Sequence, residues 1–408
     1  MRIAVHDFVG HPFQFELSQA LARRGHTVRH FFFAEDIGPK GPRTVGPDDP
    51  PTLSIEPISL RAPYSKTNFA RRRAGDILYG RQAAASIAAF APDVVISGNT
   101  PLDAQELILS RARADGAAFV FWMQDFYSLA VDRLLGKRWL GAGRLVAQHY
   151  HRIERRQLQL SDGVVLISED FASQLEQFQI PPEKVSVIPN WGALDSIPLR
   201  PKANAWAKRH GLDDKFVFLY SGTLALKHNP ERLWALARAF RGDPEVMVVL
   251  AASGVSLDGL KKREAADPQP NLTFLPLQPI AEFPDLLGAA DVVVALLESD
   301  AGEFSVPSKV LSYLCAGRSI LLSAPTDNLA ARVVRRSASG LVVSADDEAA
   351  FVEAARALRA DASTRNECGQ AARRYAEESF EIGAVTDRFE AVFDRARMAR
   401  AKNTTGRA

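Results

Sequence analysis

FSVPSKVLSYLCAGRSILLS, residues 304–323, runs from a polar, proline-bearing loop into a short helix and then into a strand. Pro307 suits the first helical turn, where its missing N–H costs nothing. Ser308 can cap the open amides, with Lys309 beside them, and Gly317 is a natural helix stop. The aliphatic run at 320–322 follows at once and reads as a buried strand. Free amides, a hydroxyl and an ammonium at a helix start form a ready anion site, to which the helix dipole alone offers about 0.3–1 kcal/mol. The stretch is therefore a candidate cradle for the phosphates of a nucleotide sugar. Taken alone, it equally suits an ordinary loop–helix–strand unit with a surface lysine.

Working outward, the same loop–helix–strand rhythm recurs along the chain. Residues 2–8, RIAVHDF, predict a first strand. The Gly10-His11-Pro12 loop then leads into FQFELSQALARRG, where Phe15, Leu17, Leu21 and Ala22 form an apolar helical face, and residues 28–33 predict a second strand. This β–loop–α–β opening implies a parallel sheet. It lacks GxGxxG, so a dinucleotide cofactor gains no support. Further strands are expected at 93–97, 119–123, 164–167 and 185–188. They break into polar residues at Gly98-Asn99-Thr100, Gln124-Asp125, Ser168-Glu169 and Pro189-Asn190-Trp191. Ligands of open α/β sheets bind outside the carboxyl ends of strands, and four polar ends in series suggest one lined edge.

Residues 192–212, with Pro198 and Pro201, suit a linker. After it the alternation restarts with strands at 216–220 and 246–250, then at 272–275, 292–296, 320–322 and 341–343. The turn after 216–220 carries Gly222, Thr223 and Lys227; the one after 246–250 carries Ser253 and Gly254. Residues 346–400 are helical in pattern, and the last residues, KNTTGRA, are expected to fray. The chain thus reads as two successive α/β sheets of similar size. They would face each other across a deep cleft between their carboxyl edges.

A length of 408 fits two domains. A net charge of +2 gives no nucleic-acid signature, and two cysteines make neither a disulfide framework nor a zinc site. The opening MRIAVHDF is a strand rather than a signal peptide, and no apolar run reaches the roughly 18 residues of a membrane span. A reducing, cytoplasmic compartment fits. Residues 36–75 are rich in Pro, Gly and Arg and resist assignment. Arg71-Arg72-Arg73 stands near Phe69, Ile77, Leu78 and Tyr79, and Leu134, Leu135, Trp139 and Leu140 alternate with Arg133, Lys137, Arg138 and Arg144. Such basic–apolar stretches can touch a membrane surface; solvated helix faces are the plainer reading.

Six pieces carry a family resemblance: HPFQFELSQALARRGHTV, FWMQDFYSLAVDRLL, SDGVVLISEDF, VSVIPNW, YSGTLALKHNPERL and VPSKVLSYLCAGRSILL. They span nearly the whole chain, and together it resembles a GT-B glycosyltransferase of family 4, within the colanic-acid and O-antigen biosynthesis group. The resemblance implies an acceptor-binding Rossmann-like domain at 1–197 and a donor-binding one at 198–380, with a C-terminal helix, 381–400, packing back on the first. It implies retention of anomeric configuration and no metal. It further implies a UDP- or GDP-sugar donor and a glycan acceptor, with an undecaprenyl-type carrier and contact with the inner face of the cytoplasmic membrane as its extension.

The residue-level transfer is uneven. Where the family has Gly-Arg…Lys around the diphosphate, Thr223 replaces the Arg and Lys227 keeps the Lys. Two glutamates eight positions apart are usual; here Phe304 and Ser312 hold those places, with Glu303 one residue off. Gln124 stands where a His is common, and Asp125 matches the family's Asp. The resemblance places Gly222, Thr223, Lys227, Ser253, Gly254, Phe304, Ser305, Ser308, Lys309 and Ser312 around the donor, with Lys227, Glu303, Gln124 and Asp125 as catalytic candidates. His11, Asn99, Glu169 and Asn190 are acceptor candidates. Asp125 is the best-placed carboxylate for a general base and His11 the next. Two rival readings remain at this level. One is a sugar-nucleotide epimerase of the same architecture. The other is a non-catalytic nucleotide-sugar-binding scaffold, favoured by the displaced glutamates.

Overall fold

Alternating aliphatic runs and amphipathic helices produce two parallel sheets. The computed structural model describes residues 1–35, 41, 44–60, 63–65, 68–135, 142–225, 228–299 and 309–405. The chain divides into a unit formed by Met1–Asn190 with Ile382–Ala408 and a unit formed by Trp191–Glu381.

In chain order the first unit contains β1 (Arg2–Asp7), α1 (Pro12–Arg23), β2 (Thr27–Phe33), β3 (Leu53–Ile58), α2 (Phe69–Phe90), β4 (Val94–Gly98), α3 (Leu102–Ala114) and β5 (Ala118–Met123). It continues through α4 (Tyr127–Leu135), α5 (Ala142–Leu160), β6 (Gly163–Leu166), α6 (Asp170–Glu176) and β7 (Val185–Val187). The strand order is β3-β2-β1-β4-β5-β6-β7, and every pairing is parallel. Central strands β4, β5 and β6 are buried at every position, as a parallel sheet covered on both faces requires.

The second unit contains α7 (Ala205–Arg209), β8 (Phe216–Thr223), α8 (Glu231–Ala239), β9 (Val246–Ser253), α9 (Val255–Ala266), β10 (Leu272–Leu275), α10 (Phe283–Gly288) and β11 (Val292–Leu296). Then follow α11 (Lys309–Cys315), β12 (Ser319–Ser323), α12 (Leu329–Arg336), β13 (Gly340–Val343), α13 (Glu348–Ala360) and α14 (Ala362–Ser379). Its sheet has the order β10-β9-β8-β11-β12-β13, again all parallel. Phe218, Tyr220, Trp234, Leu250, Leu296, Leu321 and Phe351 are buried in one shared core. The last helix, α15 (Ile382–Thr405), returns to the first unit. There Phe389 meets Trp122 of β5 at a centroid distance of 4.8 Å in an edge-on arrangement. Such an aromatic contact adds about 0.5–1.5 kcal/mol to the area it buries.

Three sequence expectations change. Within the unassigned stretch 36–75, Leu53–Ile58 forms an edge strand and Phe69 opens a long helix. An edge position accommodates Pro57, which a central strand would not. The proposed linker is not a free tether, because Trp206 is buried and its indole N–H donates to Gln278 Oε1 at 3.1 Å. Finally, β8 and β9 outrun their aliphatic cores: Gly222 pairs with Ala252 and Thr223 with Ser253 in strand register. No helix of the described residues is long and apolar enough to cross a membrane.

Candidate active site

At the carboxyl edge of the first sheet, β1 ends on Asp7, which has no exposed surface. Its carboxylate accepts from the Val9 amide at 3.1 Å, from the His11 amide and from Asn99 Nδ2 at 3.1 Å. His11 Nδ1 lies 3.3 Å from its second oxygen. Burial alone would push this carboxyl up, but the neighbouring His11 ring and amide hold it below its ordinary 3.8. Asp7 therefore ties the first loop, with His11, to the end of β4, where Asn99 adopts φ 53°.

Beside this tie is a cavity of about 380 Å³, lined by Phe8, Asn99, Trp122, Gln124, Asp125 and Tyr127, and also by Tyr64, Arg72 and Glu154. Gln124, at the end of β5, donates to Asn190 Oδ1 at 3.2 Å, and Asn190, beyond β7, donates back at 2.6 Å. Asp125 is exposed at the rim. The expected residues Asn99, Gln124 and Asp125 thus line one cavity, and Asn190 and His11 are bonded to its wall. Glu169 is exposed at the start of α6 and is not among the lining residues.

Sequence reasoning missed Glu154 in this lining and Asp76 behind it. Glu154 of α5 is buried and accepts from the Tyr127 amide at 2.9 Å and from the amide and hydroxyl of Ser128, capping the first turn of α4. Burial outweighs those donors and pushes its carboxyl up from 4.5 to about 7. Asp76 of α2 accepts from Tyr64 OH at 2.6 Å and faces Arg72 at 4.0 Å. Burial raises it from 3.8 to about 6 despite both partners. The spacing of Arg72 and Asp76, four residues apart in one helix, was a usable signal; the burial of Glu154 was not visible locally. Near neutral pH the cavity therefore holds a carboxyl that both donates and accepts, a guanidinium, amides and aromatic faces. Hydroxyl-rich ligands match that set.

The two raised carboxyls also make stability pH-dependent. Between its unfolded and folded pKa each group binds more protons in the native chain, so stability falls as pH rises. The windows are 3.8 to about 6 for Asp76 and 4.5 to about 7 for Glu154. Each accounts for a loss of about 3 kcal/mol across its window. Urea midpoints at about pH 4 and about pH 7.5 are expected to drop less in Glu154→Gln than in the parent chain. Equal drops would count against a buried, titrating Glu154.

At the carboxyl edge of the second sheet, Lys309 is the first residue of α11. Its Nζ donates to Tyr220 OH at 3.0 Å and lies 4.6 Å from the centre of that ring. A Cβ built on Gly222 would stand 3.7 Å from the Lys309 side chain, so the lysine and the glycine-bearing end of β8 are neighbours. Burial pushes the Tyr220 phenol well up, keeping it neutral beside the ammonium. Its hydroxyl donates in turn to Thr223 O at 2.9 Å. The buried Tyr313 of α11 accepts from the Ser221 amide at 3.0 Å. His228 Nδ1 accepts from the Ala225 amide at 3.0 Å. Gly222 and Gly254 adopt φ 116° and 123°, which a side chain rarely tolerates; a Cβ added at Gly222 would meet only the Lys309 side chain, whereas Gly254 packs against the Leu224 carbonyl.

The structure thus gathers Gly222, Thr223, Ser253 and Gly254 at neighbouring strand ends, with Lys309 against Gly222 and Ser312 within α11 behind it. Gln278, beyond β10, accepts from the Trp206 indole. Lys227, Glu303, Phe304, Ser305 and Ser308 lie outside the described residues, as does the 136–141 part of the second basic–apolar stretch.

The chain is similar to known proteins along most of its length. Residues 13–192 match the family model of Glycosyltransferase Family 4, and residues 202–375 match that of Glycosyl transferases group 1. A protein of Escherichia coli (strain K12), provisionally described as the colanic acid biosynthesis glycosyl transferase WcaI, is 28% identical over 218 residues. These are 52% of this chain and 53% of the relative. The chain therefore aligns with about half the length of this curated relative. Among solved structures, sucrose-phosphate synthase from Thermosynechococcus elongatus superposes with a TM-score of 0.73 at 14% identity, covering 98% of this chain and 100% of that one. Anabaena Alr3699/HepE in complex with UDP-glucose gives 0.66 at 14% identity, with 97% and 99% covered. An E. coli trehalose-6-phosphate structure with UDP-2-fluoro glucose gives 0.67 at 12% identity, with 96% and 99% covered.

Proposed function

The chain belongs to the GT-B glycosyltransferases of family 4, and from that membership we propose that it transfers a sugar from a nucleoside diphosphate donor to a glycan acceptor. The transfer retains anomeric configuration and uses no metal. The second unit takes the donor and the first unit the acceptor. The observation that carries this reading is the placement of the Lys309 side chain against Gly222 at the end of β8, where a residue without a side chain leaves room for a pyrophosphate to approach. The solved neighbours in complex with UDP and UDP-glucose support the donor class.

In the reaction the bond between the anomeric carbon and the β-phosphate oxygen breaks, and its electron pair stays on the nucleoside diphosphate. Lys309 and the amides of Gly222 and Thr223 stabilise that growing charge, as preorganised donors do in a site sheltered from water. Lys227 and Ser308 share this work. The acceptor hydroxyl adds to the same face of the anomeric carbon and gives its proton to the departing phosphate oxygen. Glu303, Phe304, Ser305 and Ser312 hold the sugar hydroxyls, while Ser253 and Gly254 face the nucleobase. In the first unit Gln124, Asp125, His11, Asn99 and Asn190 orient the acceptor, with Glu154 and Arg72 completing the cavity wall.

The acceptor is a glycan precursor on a polyprenyl-type lipid, in envelope or exopolysaccharide assembly on the cytoplasmic side of the membrane. Exposed Arg71 and Arg73 of α2, with Arg144 and Leu145 of α5, supply a basic–apolar surface suited to that contact. The test is donor turnover with UDP- and GDP-sugars, with and without membrane lipid extract, in the presence of EDTA. Sugar transfer to lipid that persists in EDTA is the expected result. Donor interconversion, or binding without turnover, would overturn the reading.

A further inference from the structure

A second cavity, of about 530 Å³, opens in the second unit at the amino edge of its sheet, opposite the strand ends just described. Its wall includes Asp291, the residue before β11, the Gly317-Arg318-Ser319 turn into β12, and one face of α14. That face carries Arg365, Asn366, Gln370, Arg373 and Arg374.

The charges here do not balance. Asp291 is matched by Lys202 and also accepts from the Val217 amide at 2.8 Å. Glu377 is matched by Arg373 at 2.7 Å. Among the described residues, Arg318 bonds carbonyl oxygens alone, those of Arg200 at 2.7 Å and Gly288 at 2.6 Å, and its buried Nε has no hydrogen-bond partner there. Arg365 bonds the carbonyls of Leu358 and Arg359 and lies over the Phe216 ring, 4.8 Å from its centre. Arg374 is exposed. Arg318 and Arg365 thus make no hydrogen bond to a carboxylate among the described residues, Asp291 and Asp361 acting on them only through space, and Arg374 adds an exposed charge in the same concave, partly desolvated place. Arg318 and Arg365 crowd Lys202 closely enough that, after burial, their charge helps depress its ammonium.

The carbonyl bonds show that Arg318 and Arg365 also hold helix ends, since Gly288 closes α10 and Leu358 lies in the last turn of α13. Two bonds on each of these side chains leave further donors, because a guanidinium carries about five N–H groups. Arg365 and Arg374 are nine positions apart on α14, about 13 Å along the axis. A single carboxylate or phosphate cannot bridge that distance. An elongated polyanion can, and guanidinium forks match phosphate oxygens well.

We propose that this cavity binds a soluble anion carrying more than one phosphate, at a site separate from the sugar-transfer machinery. One phosphate sits between Arg318 and Arg365, and the rest extends along Asn366 and Gln370 toward Arg374. The assignment does not depend on the donor chemistry proposed above.

The test titrates the full chain with inorganic tripolyphosphate by calorimetry, and maps the bound region by amide hydrogen exchange. Slowed exchange in α14 and the 317–319 turn is expected, in Lys309→Ala as in the parent chain. Arg374→Glu, an exposed change, should weaken this binding about tenfold or more, the scale of a lost charge-assisted contact. Protection confined to 221–225 and 309–315, or equal affinity in Arg374→Glu, would overturn the proposal. So would protection of α14 by anionic phosphatidylglycerol vesicles but not by tripolyphosphate, which would assign the site to a lipid headgroup.

Discussion

Lys309→Ala is expected to lower kcat/KM for a nucleoside diphosphate sugar by about a hundredfold or more, while leaving the fold in place. A charge-assisted contact to phosphate is worth about 1.5–3 kcal/mol. A preorganised donor aimed at charge that appears only in the transition state is worth about 2.7–4 kcal/mol. The loss should therefore fall on kcat as well as on donor affinity. Folding is spared because Tyr220 keeps its bond to Thr223 O when the ammonium is removed, and Tyr313 still holds Ser221. Steady-state kinetics with a thermal melt would decide it: a kcat/KM within about threefold of the parent, a difference of only about 0.7 kcal/mol, would remove Lys309 from the site. Lys309→Arg should recover part of the loss, since the charge returns with a different shape.

Gly254→Ala should damage both stability and donor binding, for a backbone reason. Gly254 has φ 123°, and a Cβ there would stand 2.6 Å from the Leu224 carbonyl oxygen and 3.0 Å from its carbon. Neither atom belongs to a side chain that can swing away. The Leu224 amide donates to Ser253 O at 2.7 Å, and Leu224 O accepts from the Ser256 amide at 3.2 Å. The methyl must therefore push the end of β8 off the end of β9, where Gly222 and Thr223 lie. Backbone strain of this kind costs about 1–3 kcal/mol before the clash is counted. Gly259→Ala is the control: Gly259 sits within α9 with nothing within 4 Å of its added Cβ. It should gain up to about 1 kcal/mol from helix propensity. Urea midpoints and donor Kd for the two variants should move in opposite directions in stability, and only Gly254→Ala should lose affinity. Parallel behaviour would show that the contact with Leu224 is not tight.

The sheets were legible in the sequence because parallel strands buried on both faces write themselves as aliphatic runs. Residues 94–98 and 119–123 are examples, and their polar termini correctly gathered Asn99, Gln124 and Asp125 around one cavity. What failed locally was decided by distant partners. Leu53–Ile58 mixes Ser, Glu and Pro and becomes a strand because β2 pairs with it. Trp206 looks like part of a linker until Gln278 arrives from far along the chain. Gly222 and Thr223 look like loop residues, but each pairs with a residue of β9. The position of Lys309 beside the end of β8 was suggested by its place at a helix start. Glu154 and Asp76 were not readable, because a carboxylate in an amphipathic helix reads as surface until the packing of its neighbours removes the water.

The reciprocal amide clasp between Gln124 and Asn190 has a consequence for selectivity. Each side chain already satisfies the other, so a guest that enters between them gains only what it offers beyond the bonds it breaks. A guest with a donor and an acceptor on adjacent carbons breaks even. One that turns a bare C–H edge toward the pair strands two polar groups, at about 1–3 kcal/mol apiece. For any guest that opens it, the clasp therefore sets a cost counted in hydrogen bonds rather than in size.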